Sequence, residues 1–131
     1  FEVRCSLAEQ VGLLAAERAT EQEIINLENL FDEMQKANSS QNVTNIWDVG
    51  LEFHTLLVES TKNQFLADIY INLHAQHRLF RIDCLAKFPS LFELTHLNKE
   101  AIEGRAKIVK SIKQRDSQLA STLFGQYMAH S

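Results

Sequence analysis

The sequence is short of the residues that break or bend a helix. One proline and four glycines stand among 131 residues. Proline lacks an amide proton and glycine carries the largest backbone entropy, so their scarcity argues against a turn-rich β-protein and for helix. Cys5 and Cys84 are the two cysteines, too few for a disulfide framework and consistent with a reducing compartment. A basic excess is missing as well: 13 Lys and Arg against 17 Asp and Glu give a net charge of -4. With a sequence pI near 5.7, a grip on nucleic acid by bulk charge is not expected. No apolar run reaches the roughly 18–20 residues of a membrane span, because Glu, Gln, Asn or Lys interrupts each hydrophobic stretch. No basic-then-apolar leader opens the chain. The expectation is a cytoplasmic protein with no membrane partner.

What the chain does have is 45% apolar residues arranged at helical steps. Length, and the want of any repeat or linker-like tract, argue for one domain over residues 1–131. A first helix is expected over about 3–19, with Leu7, Val11, Leu14 and Ala15 on one face. Thr20 followed by Glu23 has the spacing of a capping box. The helix it opens runs to about residue 36 on Ile24, Leu27, Leu30, Phe31 and Met34, and 37–44 reads as a loop. A third helix over about 45–60 carries Ile46, Val49, Phe53, Leu56 and Leu57. Asn63 caps a long fourth helix reaching about 87, striped by Leu66, Ile69, Tyr70, Leu73 and Leu79. Pro89 ends it, and Ser90 with Glu93 repeats the capping-box spacing. Helical signal continues over 91–113, with a kink expected near 96–99. Asp116 then caps a last helix holding Leu119, Leu123, Phe124 and Tyr127. Isolated helices of these lengths are marginal in water, so burial of the stripes against one another must supply the stability. The expected architecture is an all-α antiparallel bundle of five to seven helices.

Particular residues carry a family resemblance. Phe1-Glu2-Val3-Arg4, then Leu14-Ala15-Ala16-Glu17-Arg18-Ala19-Thr20, resembles the start of an FCD domain. That is the C-terminal, effector-binding domain of the FadR subfamily of GntR transcription regulators. The order continues with Phe53-His54, Asn63 with Leu66, and Arg81, and closes with Ile108, Ser111-Ile112, Asp116 and Ala120. Each motif is short; their order and spacing over nearly the whole chain carry the likeness. The resemblance implies a homodimer that senses a small molecule. It also implies that operator DNA is bound only through an N-terminal winged helix-turn-helix domain, which is not expected in this chain.

Many FCD domains resemble one another in a metal site of one Asp and three His. The first two are spaced Asp-x-x-Phe-His, an i, i+4 pair that stacks on one helix face. Such a set suits zinc or nickel, which then holds a carboxylate effector. The corresponding stretch here is Gly50-Leu51-Glu52-Phe53-His54: His54 is kept, Gly50 stands at the Asp position, and Glu52 falls on another face. Counting from Asp116 and Ala120, the remaining His positions fall on Arg105 and Tyr127.

Two readings of that replacement stay open. In one, His54 is an interior histidine, Arg105 pairs with an acid and Tyr127 packs. In the other, Arg105 takes over from the cation, since a guanidinium presents a planar fork to a carboxylate or phosphate. Tyr127 and His54 then add hydrogen bonds, Gly50 leaves room for the anion, and Arg81 is a candidate second anion contact or a surface ion pair. A retained metal would draw on His54 and His130. His74 and His77 share an i, i+3 spacing but read as structural, with His77 and Arg78 in a solvated or rim stretch.

Asn38-Ser39-Ser40 and Asn42-Val43-Thr44 match glycosylation sequons and read as ordinary loop polarity. Trp47, Phe53, Phe65 and Phe80 read as core or dimer contacts, and Cys84 as a small buried hydrophobe. No phosphate-cradling Gly loop or Ser-His-Asp set is present, so no enzyme is expected. The function expected is ligand sensing and dimerisation in a DNA-binding transcription regulator. Its effector is a small organic anion held by His54, Arg105, Tyr127, Arg81 and Gly50, without cofactor. The alternatives are a zinc- or nickel-assisted carboxylate sensor and a ligand-free dimerisation scaffold.

Overall fold

The computed structural model describes residues 2–40, 43–87 and 99–129, without the side chains at 38, 40, 43–47, 78, 81, 82, 85 and 99–101. Six helices and no strand occur among them: α1 Glu2–Arg18, α2 Glu21–Ser40, α3 Val43–Glu59, α4 Gln64–Lys87, α5 Lys99–Lys113 and α6 Ser117–Ala129. The expected all-α bundle is thus the fold.

Local sequence explains where the helices begin. Thr20 and Glu23 form the reciprocal capping box: the Glu23 amide donates to Thr20 Oγ1 at 3.1 Å and the Thr20 amide donates to Glu23 Oε1 at 2.9 Å. Asn63 Oδ1 accepts from the Leu66 amide at 3.0 Å, and Asp116 Oδ1 from the Leu119 amide at 3.1 Å, each satisfying a donor that has no partner inside its own helix. The chain reverses between α5 and α6 through Arg115 at φ 58°, with the Asp116 amide donating back to the Ser111 carbonyl at 3.0 Å, as in a left-handed helix terminus.

The expected loop over 37–44 is largely helical. α2 continues to Ser40 and α3 opens at Val43. Ala37 follows Met34 by three residues and is buried beside it, so the apolar stripe runs one turn further than the polar sequence suggested. Ser39 remains compatible with helix because its hydroxyl donates to the Gln35 carbonyl at 3.1 Å. The Pro89 stop, the Ser90–Glu93 cap and the kink near 96–99 lie outside the described residues.

α1 is the central element, touching α3, α4, α5 and α6, and its contact with α6 is the most extensive in the molecule. Ala8, Val11, Ala15 and Ala16 are fully buried along it, and these small side chains let neighbouring backbones come close. Gly12 shows how close: a Cβ there would lie 2.5 Å from the Ala120 carbonyl oxygen of α6. Leu27, Phe53, Leu57, Tyr70, Ile108, Ile112 and Phe124 complete one continuous core. Two members of the expected stripe on α4 do not belong to it, for Ile69 and Leu79 face outward.

Candidate functional site

At one end of the core α1, α3, α4, α5 and α6 each contribute a polar side chain, a cluster apart from the buried hydroxyls of Ser60, Thr61 and Ser111. His54 sits on α3 between Phe53 and Leu57, which anchor that face, and is only 3% exposed. Its Nδ1 lies 2.9 Å from the hydroxyl of Tyr70 on α4. One turn further along α4, the His74 ring stacks on the His54 ring, centroids 4.0 Å apart and planes 27° from parallel. Phe124 and Tyr127 of α6 close the ring set at 5.7 Å and 6.4 Å from His54.

Two arginines reach this cluster from different helices. The guanidinium carbon of Arg105, on α5, stands 5.4 Å from the centre of the Tyr127 ring, a cation–π distance. The neighbouring Gly104 makes the approach of that ring feasible, since a Cβ at 104 would lie 3.3 Å from Tyr127 Cδ2. Arg105 Nε is buried and makes no hydrogen bond to any described residue. Arg4, on α1, is 8% exposed, and its Nη2 donates to Met128 Sδ at 3.0 Å. The Tyr70 hydroxyl is 3.9 Å from the same sulfur.

The electrostatics follow from burial and from like charge. Burial pushes the His54 imidazole well below its ordinary value, and His74, Arg105, Arg4 and His77 each press it further down. His54 is therefore neutral at pH 7. Burial pushes the Tyr70 phenol well up; Arg4 pulls it back, and Tyr127 adds to the rise. Tyr70 thus keeps its proton, and an imidazole nitrogen accepts that proton better than a thioether does. The hydroxyl accordingly donates to His54 Nδ1, which leaves Nε2–H as the donor His54 offers elsewhere. The cluster as a whole combines permanent guanidinium charge with imidazole and phenol donors. Its chemistry is complementary to an anion.

Three residues singled out in the sequence, His54, Arg105 and Tyr127, do come together. Gly50 lies one turn before His54 on α3, and a Cβ there would meet nothing within 4 Å among the described residues. The side chain of Arg81 and the whole of His130 lie outside the described residues, as does the Trp47 side chain. Phe53 is core, whereas Phe65 and Phe80 are exposed, and Cys84 is half-buried rather than buried. His74 lies inside the ring set, and half-buried His77 is near enough to act on His54.

Arg4, Tyr70, His74, Met128 and Gly104 belong to the site in addition. Sequence signals for three of them existed. Extending the α1 stripe of Val11 and Ala8 back by four reaches Arg4, and the steps Tyr70, His74, His77 follow one face of α4. Among the described residues no three His, Cys, Asp or Glu side chains are arranged to hold a metal ion.

Fold and site together define an all-α bundle that gathers cationic and hydrogen-bond-donating side chains at one end of its core. The family model of the FCD domain matches residues 1–130, and the chain belongs to that family. Among solved structures, E. coli McbR/YncC superposes with a TM-score of 0.79 at 18% identity, covering 98% of this chain. At that identity the likeness is one of fold. The chain spans 61% of the length of that structure. No curated protein matches it by sequence.

Proposed function

We propose that this chain is the effector-sensing and dimerisation domain of a transcription regulator of the GntR family, FadR subfamily, and that its effector is a small organic anion. Membership of the FCD family supports the regulator reading over an enzymatic one. In this reading operator DNA is bound by a separate winged helix-turn-helix of the same cytoplasmic protein. The observation that carries the anion is Arg105 Nε, a buried donor with no acceptor among the described residues, beside Tyr127 and near His54. A buried guanidinium donor without an acceptor is costly, and a bound carboxylate or phosphate removes that cost.

The residues fit a metal-assisted sensor poorly. Gly50 offers no donor where a carboxylate would ligate, and Arg105 puts a fixed positive charge where a His ligand would stand. Stacked His54 and His74 rings direct their in-plane lone pairs along near-parallel planes, so the two do not converge on one ion. We therefore read the site as cofactor-free. Dimerisation is supported by an apolar face on α4: Phe65, Ile69, Leu79 and Phe80 are all exposed and fall within one sector of about 100° on the helix. Ligand would act by favouring one arrangement of the two protomers, because only unequal binding shifts an equilibrium.

The test is calorimetry of the 131-residue chain with acetate, succinate and inorganic phosphate, repeated on Arg105→Ala. The expected result is binding of at least one anion by the wild type and loss of about 100-fold or more in the variant, with unchanged far-UV circular dichroism. An affinity indifferent to Arg105→Ala would refute the assignment.

A further inference from the structure

Resting on the anion reading above, we infer that Tyr70 is the positioning residue of this site: by donating its hydroxyl proton to His54 Nδ1 it fixes the imidazole in the Nε2–H form. That form offers an anion a donor and offers a metal ion no lone pair.

The register of α4 delivers the phenol to this place. Asn63 caps the helix, and steps of four then carry Leu66, Tyr70 and His74 along one face. Tyr70 is 1% exposed, and three rings hold its own. It lies 20° from parallel to His54 and 7° from parallel to His74, and it meets Phe124 at a centroid distance of 6.0 Å. A ring packed in this way keeps its hydroxyl aimed in one direction, and that direction is His54 Nδ1, at 2.9 Å.

Two acceptors compete for the phenol proton. One is the imidazole nitrogen at 2.9 Å; the other is Met128 Sδ at 3.9 Å, a sulfur that already receives Arg4 Nη2 at 3.0 Å. A thioether is much the weaker acceptor, so the proton goes to Nδ1. A neutral imidazole carries a single ring proton, which then stands on Nε2. Tyr70 is the hydrogen-bond partner of His54 among the described residues. Nε2–H is thus left to a ligand, in the same cluster as the unpartnered Arg105 Nε.

The same bond bears on the metal chemistry of the family. A ligating histidine is neutral and binds through a ring nitrogen that carries no proton. In His54 one nitrogen holds a proton and the other receives one. Freeing Nε2 requires moving its proton to Nδ1 and turning the Tyr70 hydroxyl to the more distant sulfur. A good hydrogen bond is then exchanged for a poor one in a buried site, where such bonds matter most. The histidine retained from the Asp-and-three-His pattern is therefore committed to hydrogen bonding.

The test reads the ring directly. The 131-residue chain is labelled with 15N-histidine, and the His54 signals are assigned by their loss in His54→Ala. Two-bond nitrogen–proton correlations at about pH 8, above the ordinary imidazole value of about 6.5, should show Nε2 protonated and Nδ1 as a hydrogen-bonded acceptor. Zinc chloride should leave both signals in place. Calorimetry with succinate and with inorganic phosphate then follows Tyr70→Phe in two backgrounds. The variant should weaken whichever anion binds by about ten-fold in the native background. With His54→Ala already present it should change affinity by no more than about two-fold, because Tyr70 acts through that imidazole.

A proton on Nδ1 in the wild type would overturn the inference, as would zinc shifting the His54 nitrogens. So would an equal loss in both backgrounds, which would make Tyr70 a direct ligand contact, or no loss in either. If a variant does not fold, the wild-type ring spectrum and its response to zinc decide the matter. Anion binding accompanied by an Nδ1 proton sinks this inference alone. Failure of both anions to bind the wild type removes the anion reading and this inference with it.

Discussion

His54 shows how one buried side chain can couple this domain to pH. Its imidazole is enclosed by Phe53, Tyr70, His74, Phe124 and Tyr127, and a proton added to it would sit near Arg105 and Arg4. Burial first, and those charges with His74 and His77 after it, hold its folded-state value well below the ordinary one. An unfolded chain titrates at about 6.5, so between the two values the unfolded state binds more protons than the folded one. The stability contributed by neutral His54 is therefore complete above about pH 6.5 and drains away as pH falls toward the lowered folded value. Calorimetric melting temperatures should decline from about pH 6.5 to about pH 5, and His54→Gln should flatten that decline. A slope identical in the two proteins would count against a buried neutral imidazole. On the anion reading proposed above, a bound carboxylate would act the other way by favouring the charged imidazole, so the melting-temperature gain from succinate should grow over the same descent.

At the scale of elements, the contact between α1 and α6 depends on the glycine that faces backbone more than on the one that faces a side chain. A Cβ at Gly12 would press on the Ala120 carbonyl at 2.5 Å and on Ser121 Cα at 3.1 Å, neither of which moves without shifting the helix. A Cβ at Gly125 would meet Glu9 Cγ at 2.6 Å, but that side chain is exposed and can swing aside. Urea denaturation should show Gly12→Ala destabilised by about 1–3 kcal/mol, the range of overpacked interiors. Gly125→Ala should be close to neutral, because relief of helix entropy offsets the displaced glutamate. Equal costs at the two positions would mean that the helices are free to separate. Because α1 carries Arg4 and α6 carries Met128, the same contact also sets how the Arg4 guanidinium meets the Met128 sulfur. The caps at Thr20, Asn63 and Asp116 are legible in the sequence, since each is a local hydrogen bond between near neighbours along the chain. The end of α2 is not, because the burial of Ala37 that accompanies its last turn is not set by near neighbours along the chain.

For the whole molecule, the outward face of α4 is the feature that a lone protomer leaves unexplained. Phe65 is 77% and Phe80 65% exposed, with Ile69 and Leu79 beside them. Single exposed apolar residues are common, but four on one helix face make a patch of the kind that marks an interface. Sedimentation equilibrium should return twice the 15.0 kDa chain mass for the wild type and a single chain mass for Phe65→Glu combined with Phe80→Glu. A wild-type monomer, or a double variant that still pairs, would move dimerisation to another surface. No helix among the described residues is long and apolar enough to cross a membrane, so the patch is not part of a spanning segment.

Periodicity, capping spacings and the scarcity of Gly and Pro were enough to establish the helices, their order and the bundle class, because those properties arise between residues three or four apart. The same spacings named His54, Arg105 and Tyr127 as one site, through the family's motif order. Helical steps along α1 and α4 align Arg4 with the buried stripe and Tyr70 with His74, but that these side chains share one space was decided by tertiary packing. Arg4 looks like an ordinary surface arginine until α1 is placed at the centre of the bundle, and His74 like a merely structural histidine until α4 turns Tyr70 inward. Ile69 and Leu79 read as core by hydrophobicity yet face out, because α4 buries the opposite face, where Tyr70 and His74 lie. Local sequence specifies which face a helix can bury; only the arrangement of the other helices determines which face it does.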